Sequence, residues 1–506
     1  MKTNIKAYLL GIILAAMGLG PTGAGAAPVD ELRSYANTHR KQIVGELIAL
    51  VSVPDLHGDV AHLNKNADLL VDMLTKRDLK PERWETSAGT PVLFGQKIVA
   101  GAKRTILFYI HYDGQPVDPK QWRQPDPFTP VVRTESIEAG GQVVTDLPNA
   151  QYPDAWRVYG RAAADDKAPI IAFLSALDAI HSKPKSNIKV ILDGEEEGGG
   201  PGLRQVIAEH PDKLHSDLLV ILDGPQHPSG KPTVYFGARG GAGLSVTVFT
   251  AKQGLHSGNY GNWAPDANVR LAQLIASMVD PTGKVTIPGF YGDPLPFSEP
   301  AKAMMRAVPD DPQKMRETLG IGSVDGAARS LQEGLNLPAL SIHAMNGGEP
   351  GGVIAARATA DIQIRLVKEN DPKVVVGRVI DHIRAQDYFI VDKDPDLQAL
   401  FSHPKIAKVI ARIPEDGKSG AWRTDPDDPA AKFVADGLRF AWGKDVVLIR
   451  TLGGGVPASP FIDAYHVPTV GVALVNFDDN QHSANENIRL GNLFDGVVTL
   501  GVLMTY

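Results

Sequence analysis

Ile188-Lys189-Val190-Ile191-Leu192 runs without a break into Asp193-Gly194-Glu195-Glu196-Glu197-Gly198. A short apolar run rich in β-branched residues and closed by glycine reads as a strand buried on both faces. Three adjacent acids directly after it repel one another unless a cation compensates them. Two more segments share this form. Residues 105–110 (TILFYI) end in His111-Tyr112-Asp113-Gly114, and residues 218–222 (LLVIL) end in Asp223-Gly224. Helical spacing occupies 168–180, after Arg157-Val158-Tyr159-Gly160 and Ala164-Asp165-Asp166-Lys167. Strands alternating with helices predict an α/β fold with a central, mostly parallel sheet flanked by helices. In open sheets of this kind, ligands bind beyond the carboxyl ends of the strands. Here three strand ends bring acids or histidine to that edge.

Upstream, residues 30–50 and 62–78 have helical spacing of apolar positions (Ile43, Leu47, Leu50; Leu69, Leu70, Met73, Leu74). A loop rich in Pro, Asp and Gln follows Gly114 and runs to about residue 157. After residue 240 the texture changes. Residues 244–250 (LSVTVFT) and 359–366 (TADIQIRL) alternate as half-exposed strands, with helices expected at 267–278 and 373–384. The α/β pattern resumes near 425, with a helix at 430–442, a strand at 446–450, the turn Gly453-Gly454-Gly455 and a strand at 469–475. The expected organisation is one catalytic domain from residues 27–240 and 425–506, with a smaller α+β domain, 241–424, inserted into it.

At the N-terminus, Lys2 and Lys6 precede an apolar run at 7–19, and Ala24-Gly25-Ala26 has the form of a cleavage site. The run is too short to span a membrane comfortably. Residues 1–26 are therefore expected to be an export signal, leaving a periplasmic or secreted protein with no membrane span after cleavage. The G-x-G-x-x-G spelling at Gly18 to Gly23 lies inside that segment without a βαβ context, so it is no dinucleotide site. The chain's 506 residues exceed what one compact domain usually holds, and 43% hydrophobic with 22% charged residues is a globular composition. With 51 Lys+Arg against 58 Asp+Glu, and no dense basic cluster, the sequence gives no support to a general nucleic-acid binder, and none is expected as a partner. There are no cysteines, which excludes thiolate zinc sites, disulfides and Cys nucleophiles. A transition metal would have to be held by His, Asp and Glu.

Those ligands are present in the right places. His111-x-Asp113 at the end of a strand puts both side chains on one face. Asp223 closes a wholly apolar strand, where a carboxylate needs a partner. His482 lies in Asp478-Asp479-Asn480-Gln481-His482-Ser483, beyond the last expected strand. Oxygen and imidazole ligands from separate strand ends suit zinc, or manganese or cobalt. Two such ions need a shared carboxylate, and Asp165 is well placed to provide it. There is no H-E-x-x-H helix and no G-x-S-x-G elbow. Gly417-Lys418-Ser419 has Arg412 where a phosphate loop has its first glycine.

The motifs His111-Tyr112-Asp113, Gly160-Arg161-Ala162-Ala163-Ala164-Asp165-Asp166-Lys167, Glu196-Glu197, Leu222-Asp223 and Gln481-His482-Ser483-Ala484-Asn485-Glu486 occur in this order. Leu255-His256-Ser257-Gly258 and Ile364-Arg365-Leu366-Val367 lie in the inserted domain. The set resembles the M20 family of co-catalytic metallopeptidases, most closely its long branch, the carnosine dipeptidases. The resemblance implies two divalent ions per subunit. His111 and Asp223 would hold one, Glu197 and His482 the other, and Asp165, rather than Asp166, would bridge them. Asp113 would hydrogen-bond His111, and Glu196 would be the general base, with no catalytic role for Glu195. The inserted domain would act as a lid and dimerise, so that His256 reaches the partner subunit's site and stabilises the oxyanion. Arg365 would bind the free carboxylate of a small peptide substrate. The branch usually has Ser after two glycines in its substrate-binding turn, where this chain has Gly455. The enzymatic alternatives are an N-acyl-amino-acid amidohydrolase or a glutamate-type carboxypeptidase of the same family. The non-enzymatic alternative is an exported binding protein that kept the fold.

Overall fold

The structure, a computed structural model, describes residues 29–180, 184–292, 297–348 and 351–506. The expected export signal at 1–26 and its glycine decoy lie outside the described residues. An eight-stranded sheet runs in the order Glu82–Trp84, Val92–Lys97, Asn187–Asp193, Thr105–His111, Leu218–Ile221, Thr469–Ala473, Thr233–Tyr235, Val447–Ile449. The middle four strands are mutually parallel. Antiparallel pairings appear toward both edges. Successive side chains of a strand point to opposite faces, and the central strand shows this directly. Ile106, Phe108 and Ile110 enter one apolar cluster, and Leu107 and Tyr109 enter another on the opposite face. Helices Ala168–Ala179 and Leu490–Thr505 cover the first face, and Pro201–Glu209 with Ser459–Tyr465 covers the second. The sheet is apolar on both sides because helices bury both sides.

Local differences from the sequence reading have local causes. The helical stretch expected over 30–50 is two helices, Val29–Thr38 and Arg40–Val51, broken at His39, whose φ of −109° and ψ of 15° are not helical. The C-terminal helix Leu490–Thr505 is buried almost throughout, so it has no polar face and no amphipathic period to read. Among the described residues no helix is long and apolar enough to cross a membrane.

A second, five-stranded sheet is built from residues 240–412, in the order Ala339–Asn346, Arg357–Leu366, Gly240–Phe249, Ile406–Arg412, Phe389–Val391. Its own core packs under helices Ala267–Met278 and Pro372–Ala385. The chain enters this sheet at 237–241 and leaves it at 419–424, and the two crossings lie side by side. Trp422 pairs with Ala238 and Arg423 with Gly237. The Gly241 N–H donates to the Ser419 carbonyl at 2.8 Å. A Cβ at Gly240 would lie 1.9 Å from that carbonyl oxygen, so glycine is required for the crossings to meet. A third, three-stranded sheet joins Val131–Arg133, Arg157–Tyr159 and Asn487–Arg489. It fastens the loop at 478–486 beside the loop at 160–166, across more than half the chain.

Gly471 ties the large sheet to the position of Asp223. It pairs with Tyr235 across two antiparallel strands, and the tyrosine ring lies flat against it. A Cβ there would stand 1.8 Å from the ring carbon Cζ. The Tyr235 hydroxyl donates to the Asp223 carbonyl at 2.8 Å. Gly471→Ala should therefore displace the ring and cost about 1–3 kcal/mol as overpacking. Urea unfolding would measure that loss, and an unchanged midpoint would show that the ring is free to move aside.

Candidate metal centre and active site

The carboxyl ends of the parallel strands converge on one cluster. His111, Asp165 and Asp223, all buried, offer ligand atoms within 4.8 Å of one another, and so do Asp165, Glu197 and His482. Asp165 belongs to both groups. His111 Nε2 lies 2.9 Å from Asp165 Oδ1, and His482 Nε2 lies 3.1 Å from Asp165 Oδ2 and 3.3 Å from Glu197 Oε1. Asp166 belongs to neither group, and its Oδ2 lies 3.4 Å from the backbone nitrogen of His111, whose N–H it accepts.

The electrostatics follow from the crowding. Burial alone would raise the Asp165 carboxyl, but hydrogen bonds from His111 and His482 hold it well below the usual carboxylate range. Burial, reinforced by Asp165, pushes Asp223 up to about 7. Burial also holds the Glu196 carboxyl well above its ordinary value, with Asp223 and Glu197 adding to it. Four carboxylates thus crowd together with two imidazoles as their nearest cationic partners. A hard oxygen-rich set with two nitrogens, divided into two triads around one shared carboxylate, fits a pair of divalent ions.

The surrounding hydrogen bonds fix this set in place. The Asp113 carboxylate accepts the backbone N–H of Glu196 on one oxygen and of Glu197 on the other, both at 3.1 Å. His111 Nδ1 lies 3.1 Å from the Asp113 carbonyl and 3.4 Å from its carboxylate. Asp113 therefore orients the ring chiefly through its main chain, and its side chain holds the turn that carries Glu196 and Glu197. Nδ1 donates outward to that carbonyl, which leaves Nε2 facing the cluster. Gln115 Nε2 donates to Glu197 Oε2 at 2.7 Å. Glu195 is buried and accepts the Gly202 N–H at 3.1 Å, away from the cluster.

Glu486, quoted within a motif but given no role from sequence, proves to be a central support. It is fully buried, and its carboxylate accepts the N–H groups of Ala162, Ala164 and Asp165 and the Arg161 guanidinium, at 2.7 to 3.0 Å. Its signal in sequence was its place at the end of the His482 motif. Its partners lie more than 300 residues away and could not be read. His482 itself has a φ of +59°, in the left-handed region that a non-glycine residue adopts at a cost of roughly 1–3 kcal/mol. Strain of that kind persists where the surrounding loop over-determines it.

The cavity next to the cluster, about 290 Å³, is lined by Glu196, Arg365, Gly455 and, unforeseen, Arg239. His256 does not line it. That residue is exposed on a short strand paired with Val353, and its Nδ1 accepts the Gly258 N–H.

Glu486→Gln replaces one acceptor oxygen with a donor that meets either the Ala164 and Asp165 N–H groups or Ala162 and Arg161. The expected result is a folded protein whose zinc affinity falls by about 10–100-fold, the size of effect that residues supporting metal ligands have. Zinc retention under a graded chelator series checks it, and retention equal to the parent would show that Glu486 does not position Asp165.

Comparison with known proteins agrees with this geometry. The human Beta-Ala-His dipeptidase is 26% identical over 527 aligned positions, covering 97% of this chain and 96% of that protein. Cys-Gly metallodipeptidase dug1 of Schizosaccharomyces pombe is 25% identical, with 93% and 96% covered. The crystal structure of human carnosine dipeptidase 1 superposes with a TM-score of 0.73 at 24% identity, over 94% of this chain and 98% of that one, a likeness of fold. Residues 107–505 match peptidase family M20/M25/M40, and a match over that length, with two metal-ligand triads sharing Asp165, makes this chain a member of that family.

Proposed function

We propose that the protein hydrolyses the amide bond of dipeptides, or of small peptides with a free C-terminal carboxylate, using two divalent metal ions. The observation that carries this reading is the shared cavity: Glu196 and Arg365 line one space beside the paired triads. A pure binding protein has no use for a base there. His111 and Asp223 would hold one ion, Glu197 and His482 the other, and Asp165 both. Zinc suits the set, and manganese or cobalt would also fit. Bound ions of this kind supply Lewis-acid polarisation of a carbonyl and a lowered pKa for a water.

The chain's own groups do the rest. Glu196 takes a proton from the attacking water and delivers it to the departing amine, so the same carboxylate serves as base and then as acid. Arg365 offers a forked cation to the substrate carboxylate. In the turn that ends at Gly455 no hydroxyl is available, so either backbone N–H groups serve in its place or the substrate differs from that of the dipeptidase branch. Glu196→Gln should lower turnover of a dipeptide at least about a hundredfold while both ions stay bound. Stopped assays with parallel metal analysis test this, and substantial residual turnover would remove Glu196 from the role of base.

We read residues 241–424 as the lid and the dimerisation domain, with residues 1–26 as an export signal that delivers the mature protein to a periplasm or the medium. The absence of His256 from the lining of its own chain's cavity supports a site shared across a two-fold dimer. So do the apolar side chains exposed around it: Trp263 is 81% exposed, and Tyr260 and Val353 are exposed as well. His256 of one subunit would then stabilise the oxyanion in the other. Each of His256→Ala and Glu196→Ala should be nearly inactive alone. Refolded as an equal mixture, half the dimers are mixed and one site in each has both groups, so activity should return to about a quarter of the parent. A mixture that stays inactive while mass spectrometry shows mixed dimers would sink the shared site.

A further inference from the structure

A second cavity, of about 910 Å³, opens between helix Glu299–Ala307, helix Pro429–Trp442 and Val447–Ile449, the last strand of the eight-stranded sheet. Its size suits a small molecule. One wall is apolar, with Met304, Val446 and Leu448, and another carries Lys368, Arg423 and Arg450. These three cations are poorly compensated. Arg423 pairs with Glu369, whose side chain is half-exposed. Lys368 Nζ donates to the Arg423 carbonyl at 2.9 Å, and Arg450 Nη1 to the amide oxygen of Asn336 at 2.5 Å, both neutral acceptors. Among the described residues no carboxylate pairs with Lys368 or Arg450. The acids of the rim are already engaged. Asp427 pairs with Lys432 at 2.8 Å, and Asp425 acts on Lys432 as well. Three clustered cations therefore share one carboxylate, and two positive charges are left over. The Arg423 side chain is only 14% exposed. Burial and the Arg450 charge push it down to about 10, and burial lowers Arg450 also. Like charges gathered away from water are unfavourable until an anion joins them.

The ligand that fits carries two negative charges on an apolar body. A phosphate monoester brings a charge of about −1.5 to −2 at neutral pH, and its oxygens match the forks of two guanidinium groups. A lone carboxylate would leave one positive charge over. The cavity is also mechanically joined to the one beside the metal-ligand cluster. Four segments pass from one lining to the other within three to five residues: Phe236 to Arg239, Arg365 to Lys368, Gly420 to Arg423, and Arg450 to Gly455. Main-chain hydrogen bonds tie these segments together. The Thr424 N–H donates to the Phe236 carbonyl at 2.7 Å, the Leu452 N–H to the Gly237 carbonyl at 2.7 Å, and the Arg239 N–H to the Gly454 carbonyl at 3.1 Å. A ligand that draws Lys368, Arg423 and Arg450 together therefore acts on the segments that carry Arg239, Arg365 and Gly455.

We propose that this second cavity binds a phosphate monoester with an apolar body, and that the bound ester changes the affinity of the neighbouring cavity for its substrate. The binding site stands apart from the dipeptide-hydrolysis reading, and only its effect on turnover rests on that reading.

The test uses phenyl phosphate and the mature, metal-loaded protein. In titration calorimetry the parent should bind the ester, and Arg450→Met and Lys368→Met should each weaken it by about tenfold to a hundredfold, the range for a hydrogen bond to a charged group. Lys368 is exposed, so its variant keeps the test valid if Arg450→Met fails to fold. Benzoate, with one charge on the same ring, should bind at least about tenfold more weakly. No heat from the parent, or equal affinity in the parent and Lys368→Met, overturns the proposal, and equal affinity for benzoate overturns the choice of a phosphate. The second readout is turnover. Without the ester, Lys368→Met should cleave a dipeptide as the parent does. With it, the parent's KM should move by about fivefold or more and then level off, because ester and dipeptide bind together. Turnover that falls to nothing as the ester rises, in the parent and in Lys368→Met alike, would place the ester on the metal centre and sink the proposal. An ester held by Lys368 and Arg450 that leaves KM unchanged would overturn the coupling between the cavities. If no dipeptide is cleaved at all, the hydrolysis reading fails, and calorimetry still decides the binding site.

Discussion

Carboxylates held at bonding distance in a buried site repel one another, and the structure around this centre is organised to contain that repulsion. Asp223, Glu196 and Glu197 stand together at the ends of parallel strands with Asp165, from the turn after Arg157–Tyr159, and Asp113, Asp166, Asp193 and Glu486 surround them. No such group of acids survives in an apolar sheet unless each oxygen has somewhere to place its charge. The outer acids place it on the protein. Asp113 takes two backbone N–H groups of the acid turn. Asp193 takes the Tyr109 hydroxyl and the Glu195 N–H. Glu486 takes three backbone N–H groups and an arginine.

The inner acids are left with two imidazoles and, at Glu197, the Gln115 amide. This difference separates framework from chemistry more reliably than residue type does. An acid whose two oxygens are both engaged by fixed protein donors is held away from an ion, whereas Asp165 turns both of its oxygens to the histidines of the cluster. The same distinction explains why adjacent residues of like charge do different work. Glu195 is tied to Gly202, Glu196 faces the cavity, and Glu197 faces His482.

A parallel logic governs the cations. Arginines with a structural task are neutralised in place, as Arg161 and Arg157 are. Arg239 and Arg365 have no such carboxylate; Arg239 lies at the crossing into the second sheet, and Arg365 on the strand that pairs with that crossing at Gly241. Those crossings are pinned by the contact of Gly240 with the Ser419 carbonyl. The second sheet is thereby held at a set distance from the metal-ligand cluster, which lets residues from both sheets line one cavity.

The parallel strands Thr105–His111, Asn187–Asp193, Leu218–Ile221 and Thr469–Ala473, and the acids that follow the middle two, were legible in the sequence, because an apolar run followed by charge is a local pattern and buried parallel strands impose it; Glu82–Trp84, Val92–Lys97 and Thr233–Tyr235 of the same sheet were not. The helices Ala267–Met278 and Pro372–Ala385 were legible for the same reason, since one exposed face imposes a period. The ligand candidates could be named because few residue types bind such ions and cysteine is absent. What sequence could not supply were relations between distant segments. The small sheet that sets Asn487–Arg489 beside Arg157–Tyr159 brings His482 and Glu486 to Asp165. The antiparallel edges of the main sheet, the buried C-terminal helix and the unpaired state of Arg239 have no local signature either. Whether an acid is saturated by backbone donors, or a guanidinium is left without an anion, depends on which main-chain groups arrive from elsewhere in the chain, and only the tertiary structure decides that.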